Sequence, residues 1–226
     1  VVSAVQSCMS NYSTEPYILY ESMMIFGNVA VDMKICEMLV ARGIVSTTLS
    51  ALKQYENEST IMLSSAYLLS GVAISTVARE QVYNLNGLNQ LLISYATNNY
   101  HDDKDITVNV FSCICNLCEM DNITSQYISY DGVTLTLDTF DHYKTDEHVI
   151  YEIVKLIVKL CLYDQKYRVS HDALFNTDRI KSYYECYRTF TEHSYVMIAF
   201  LHLLTLLAKA KSITVQLVDL GIIDSF

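Results

Sequence analysis

Two marks recur along this 226-residue chain at intervals near 44 residues, and nothing else in it restricts folding as strongly. The first mark is a glycine behind a short apolar run. Gly43 in LVARGIVSTTL, Gly87 in VYNLNGLNQLL and Gly132 in YISYDGVTLTL stand 44 and 45 residues apart. Gly221 in LVDLGIIDSF follows after 89, about two periods, with Asp178 of LFNTDRIKSYY near the middle of that gap. Glycine suits a helix end that must turn through positive φ, and Asp is a weaker substitute that can also cap the next helix. The second mark ends longer amphipathic segments: IFGNVAV, LLSGVAI, CICNLCE, IVKLCLY and LLTLLAK. Aligned on Asn28, Gly71, Asn116, Lys159 and Leu206, these lie 43, 45, 43 and 47 residues apart. Two independent marks with one period identify a repeat.

Columns through the aligned segments separate a core face from an open one. Ten positions before the Asn28 column stand Ile18, Ile61, Ile106, Val149 and Val196. Three and two positions before it, and one after, the residues are again Ile, Leu, Phe, Val or Cys, at the spacing of one helix face. Two positions after it stand the small residues Ala30, Ala73, Cys118, Cys161 and Ala208, which predict a close approach of neighbouring helices. Offsets eleven, seven, four and zero form a different stripe. It holds Tyr17, Thr60, Asp105, His148 and Tyr195; then Glu21, Ser64, Asn109, Glu152 and Ala199; then Met24, Tyr67, Ser112, Lys155 and His202. This mixed, polar stripe is expected to face water or a partner.

Each period therefore predicts a short helix ending at Gly, a medium helix, a loop and a long third helix. In the second full repeat these fall at Thr76–Asn86, Leu88–Thr97 and Asp105–Met120, with NNYHDDK as a solvated link. No such trio could bury its apolar face alone, whereas stacked trios share one continuous core. Six Gly and one Pro are too few to punctuate a β-sandwich, and 51% hydrophobic residues exclude a disordered chain. The expected organisation is a single stack. It comprises the end of a repeat over 1–31, repeats at 32–75, 76–120, 121–163 and 164–210, and the start of another at 211–226. Both ends are expected to be cut from a longer solenoid.

The pattern resembles the armadillo repeat, in which a Gly separates the first two helices and the third ends in a small or polar residue, Asn, Leu or Ile, then Ala. CNLC at Cys115–Cys118 and GNVA at Gly27–Ala30 match that motif, and SGVA, VKLC and TLLA match its frame without the Asn. The resemblance spans the whole chain. It implies an all-α, right-handed superhelical solenoid of about five three-helix repeats. It also implies a non-enzymatic scaffold or adaptor that binds an extended peptide or a helix along a concave groove of third helices. The residues it assigns to that groove are Glu21, Met24, Asn28 and Tyr67; Asn109, Ser112 and Asn116; and His148, Glu152, Lys155, Lys159 and His202. The ladder asparagines Asn28 and Asn116 would bond the partner's backbone. Nuclear-import adaptors of the family, the alternative reading, carry Trp four residues before the Asn, where this chain has Met24, Tyr67, Ser112, Lys155 and His202 and no Trp at all. A small, repeats-only chain rich in Tyr and Ile is also similar to the apicomplexan armadillo repeats-only family. That likeness implies an acylated N-terminal segment, attachment to the rhoptry surface and recruitment of a myosin through an adaptor.

The formal net charge of −10 argues against a nucleic-acid surface, which must release counterions from phosphates. The longest apolar stretch, Val196–Ala208, is shorter than the ~20 residues a membrane span needs. Seven cysteines scattered in apolar segments read as reduced thiols, and with the missing signal peptide they point to the cytoplasm, or to the cytosolic face of an organelle. Cys113-x-Cys115-x-x-Cys118 has a zinc or redox spacing, but Cys113 and Cys118 occupy apolar and small-residue columns, so buried small hydrophobes are expected. His148 and Glu152, four residues apart, could form an acid–base pair; a solvated face is the simpler expectation. Tyr183, Tyr184 and Tyr187 are expected to pack a middle helix. No phosphate-loop, dinucleotide or zinc-protease motif occurs, and no cofactor is expected.

Overall fold

A computed structural model describes residues 2–167, 172–209 and 211–219. The chain is all-α: fifteen α-helices and one 3-10 turn occur, with no strand among the described residues. No single described helix is long and apolar enough to cross a membrane. Gly221 lies outside the described residues. The further repeat expected over 211–226 is therefore represented by α15 (Lys211–Asp219) alone.

Helix lengths recur. After α1 (Val2–Asn11) and the fourteen-residue α2 (Pro16–Val29), nine-, eleven- and fourteen-residue helices follow as α3 (Met33–Ala41), α4 (Ile44–Gln54) and α5 (Ser59–Val72). The same lengths return in α6 (Thr76–Asn84), α7 (Gly87–Thr97) and α8 (Lys104–Leu117). Next come α9 (Asp121–Ser129) and α10 (Gly132–His142), again nine and eleven residues, and then α11 (Glu147–Tyr167), which has 21. The last described elements before α15 are α12 (Asp172–Phe175), α13 (Thr177–Thr189) and α14 (Ser194–Leu207).

Local chemistry sets the ends. Glu15, Glu58, Asp103 and His193 are the N-cap positions of α2, α5, α8 and α14, and Asp146 precedes α11. These five lie at the same 43, 45, 43 and 47 spacing as the motif that ends these helices. Asp103 accepts from the Ile106 amide, and Asp146 from the His148 and Val149 amides, satisfying donors that a helix start leaves open. Ala30, Ala73, Cys118 and Ala208 of the small-residue column are the C-caps. α11 instead continues through Cys161, past the boundary expected at 163. The LYDQK that follows has no Gly or Pro, and its Leu, Gln and Lys favour helix.

The glycine mark has two causes rather than one. Gly43 does turn through positive φ, at 79°. Gly87 and Gly132 do not; they are first residues of α7 and α10, and the left-handed turn is made one position earlier by Asn86 (φ 55°) and Asp131 (φ 60°). Asn and Asp tolerate this region because their short side chains bond locally; Asp131 accepts from the Thr134 hydroxyl at 2.7 Å. A Cβ on Gly87 would fall 2.8 Å from a Leu49 methyl, and one on Gly132 would fall 2.6 Å from the Tyr127 ring. Those two glycines are there for close approach. The left-handed positions Gly43, Asn86 and Asp131 are 43 and 45 residues apart, so both marks share one spacing. Asp178, expected to stand in for Gly, lies inside α13, and Asn176 caps that helix by accepting from the Arg179 amide.

The chain forms two compact units, Val1–Ile123 and Thr124–Phe226. In the first, α5 packs against α2 on one side and α8 on the other. Contacts fall within about one helical turn of the matched positions: Ser65 donates to the Met23 sulfur, Tyr67 bonds Asn28, and Ser70 bonds Ser112. These helices therefore run side by side in the same direction. The second-position helices follow suit: Gln90 of α7 donates to the Leu49 carbonyl of α4, and Asn98 to the Glu56 carbonyl at 2.7 Å. Tyr95 and Phe111 meet edge to face in the core at 6.2 Å, and the Tyr95 hydroxyl is satisfied by Thr107.

In the second unit, α14 packs along α11, and α10 and α13 lie behind them. Arg179 donates to Asp141 at 2.9 Å, and the Cys186 thiol to the Lys144 carbonyl, joining segments about one period apart. Phe140 and Tyr183, both fully buried, form an edge-to-face pair at 5.2 Å. Of the three α13 tyrosines, Tyr183 is buried and Tyr184 and Tyr187 are half-buried against the helix layer.

Candidate binding surface

The stripe expected to be open is divided by the structure into exposed, tied and buried positions. In the first unit Glu21 and Asn28 are exposed, and Met24, Tyr67, Asn109, Ser112 and Asn116 are half-buried. The ladder asparagines do not present bare side chains. The Asn116 amide donates to the Ser70 carbonyl (3.0 Å) and hydroxyl (3.3 Å), tying α8 to α5. Asn28 accepts from the Tyr67 hydroxyl at 2.8 Å, while the Tyr67 ring lies where a Cβ on Gly27 would sit. Each asparagine thus uses one end of its amide on the neighbouring helix, Asn28 its Oδ1 and Asn116 its Nδ2. Asn109 turns to its own helix and donates to the Asp105 carbonyl.

In the second unit the stripe forms a cleft. α11 contributes Tyr151, Lys155, Val158, Lys159 and Leu162, and α14 contributes Tyr195, Ile198, Ala199 and His202; together they enclose about 360 Å³. Lys155, Lys159 and His202 of the stripe line it. His148 is at the rim, exposed, stacked on Tyr195, with its Nε2 3.5 Å from the Glu147 carboxylate. Glu147 also meets the imidazole of His193, at the start of α14.

Glu152 corrects the idea of an open polar face, since only 9% of it is exposed. Its carboxylate bonds the Lys155 ammonium at 2.8 Å, and that ammonium also sits 4.7 Å over the Tyr151 ring. Glu152 and His148 thus have separate partners and form no acid–base pair in this geometry. Replacing Lys155 with Met strands a carboxylate that is mostly out of water. The expected loss is about 1.5 kcal/mol, reduced from that of a fully buried pair because the lysine remains one-third exposed. Urea unfolding followed by circular dichroism measures it, and adding Glu152→Gln should recover most of the loss.

Four cleft residues were on neither the stripe nor the assigned groove, Tyr151, Val158, Leu162 and Ile198, while Tyr195 and Ala199 were on the stripe without being assigned to the groove. A signal for two of the four was present. Eight positions before the Asn28 column stand Tyr20, Leu63, Val108, Tyr151 and Ile198, an apolar column next to the polar stripe. The first four are half-buried and Ile198 is 66% exposed, so this column is shared between core and surface.

Cys113, Cys115 and Cys118 are buried and in no disulfide, and no three His, Cys, Asp or Glu side chains converge as metal donors among the described residues. Burial pushes the Cys113 thiol far up, and pushes those of Cys161 and Cys186 up to about 12. A thiolate, the form that binds metal or attacks disulfides, is disfavoured at such sites. Ellman titration of the native protein is therefore expected to count one fast thiol, the exposed Cys8, with the other six appearing only on unfolding. A second fast thiol would contradict the burial described.

No family model matches the chain, and neither a curated protein nor a solved structure is significantly similar to it.

Proposed function

We propose that this chain is a protein-binding scaffold of the armadillo type: a right-handed solenoid of about five three-helix repeats whose third helices carry the binding surface, acting without catalysis. The observation that carries the reading is a partly exposed stripe that recurs on α2, α5 and α8 of the first unit and on α11 and α14 of the second, where those two helices frame an open, aromatic- and lysine-lined cleft. A stacked-repeat protein buries the flanks of each third helix against its neighbours and leaves such a stripe as one continuous surface. Aromatic side chains in it offer large contact area at low entropic cost.

A photo-crosslinking residue separates this surface from the rest. Placed at Ile198 in the cleft, or at Val108 on α8, it should give discrete protein adducts in extract from the source cells. Placed at Val77, exposed on α6 outside the stripe, it should give none. Equal labelling at all three positions, or labelling at Val77 alone, would overturn the proposal.

A further inference from the structure

Resting on the scaffold reading, we infer that the α11–α14 cleft binds an acidic peptide segment anchored by one large apolar side chain. Charge is the first argument. The protein has 25 acidic and 15 basic residues, yet the cleft lining holds Lys155, Lys159 and His202 and no carboxylate. Glu152, beneath it, is buried and turned to Lys155. An acidic segment is repelled by most of the surface and attracted here, which favours both the encounter and the register. Lys155 is held by Glu152 and by the Tyr151 ring, so little side-chain freedom remains to be lost when a carboxylate arrives.

Shape is the second argument. Val158 and Ala199 form a buried floor between Leu162 and Ile198, which expose 41% and 66% of their surfaces from opposite helices. These two side chains leave water when an apolar group enters between them. A volume of about 360 Å³ is at the low end for a ligand pocket and suits one or two side chains. The lining offers two ammonium groups, an imidazole and no Arg fork, which favours simple carboxylates over a phosphopeptide.

The test is fluorescence anisotropy with the full chain and a labelled peptide of alternating Asp and Glu around a single Phe. Binding should weaken about tenfold when Phe becomes Ala, about tenfold or more when the acids become Lys, and progressively with added salt. Lys159→Glu with His202→Glu leaves the Glu152–Lys155 pair in place and should weaken the acidic peptide about tenfold with unchanged circular dichroism, while Val77→Asp has no effect. Ile198→Asp tests the anchor in the same way. The inference is overturned if the basic peptide binds as well as the acidic one, if the phosphorylated counterpart alone binds, if the acidic peptide does not bind, or if its binding survives both cleft variants. Where a neutral or basic peptide binds in an Ile198-dependent way, the scaffold reading stands and only the acidic preference falls. Crosslinking that fails to distinguish Ile198 from Val77 removes both.

Discussion

Replacing Phe140 with Ala is expected to destabilise the second unit by about 3–5 kcal/mol, the largest single effect anticipated in the protein. Phe140 is fully buried on α10, and its ring meets Tyr183 of α13 edge to face at 5.2 Å. Truncation removes the transfer free energy of the ring and leaves a cavity between two helices pinned by the Arg179–Asp141 ion pair, so collapse is only partial. The Tyr183 hydroxyl is itself buried without a hydrogen-bond partner, so a vacated ring site does not reward its movement. Urea denaturation followed by circular dichroism gives the measurement. Ile198→Ala, at an exposed position, should stay within about 0.5 kcal/mol of wild type. A Phe140 variant that unfolds like the Ile198 variant would contradict the core described for this unit.

Gly132→Ala is expected to cost about 2 kcal/mol, opposite in sign to the usual effect of placing Ala in a helix. Gly132 has ordinary helical backbone, and propensity alone would favour Ala by about 1 kcal/mol. Against this, the new methyl would fall 2.6 Å from ring carbons of Tyr127. The ring cannot retreat easily, because Tyr127 is completely buried and its hydroxyl is bonded to Thr136 at 2.8 Å. Moving it forfeits packing and that hydrogen bond together. Asp131→Gly, by contrast, should be nearly neutral, since glycine occupies the left-handed region at no steric cost. Were Gly132 the turn residue, the order would differ: Gly132→Ala would suffer from backbone strain and Asp131 would have no special conformation to preserve. Thermal unfolding of the two variants decides between close approach and turn.

The helices were legible because helix formation is largely local. Apolar spacing over Ile61, Leu68, Leu69 and Val72 marks the face α5 buries, and the start expected for α8 at Asp105 lies one residue from the observed Lys104, with Asp103, read as part of the link, as its cap. The cysteine columns were legible for the same reason: Cys113 and Cys118 take the places that Leu68 and Ala73 take one period earlier, and all four are buried. The candidate surface was only half legible. Lys155, Lys159 and His202 could be placed on the stripe, but the apolar half of the cleft was obscured because Tyr151 and Ile198 look like core residues in a single-helix pattern.

By itself the amino-acid sequence determined the all-helical composition, the helix order and the spacing near 44 residues, because capping, breakers and apolar periodicity act within a few residues along the chain. Tertiary structure alone decided which neighbour each marked residue meets. Asn116 belongs to Ser70 and Asn28 to Tyr67, Glu152 is withdrawn to Lys155, and Gly132 makes room for Tyr127. The physical reason is distance along the chain. Periodicity states which side chains share a face, whereas a hydrogen bond or a steric limit also depends on the facing helix, which for Asn28 and Asn116 is about one repeat away.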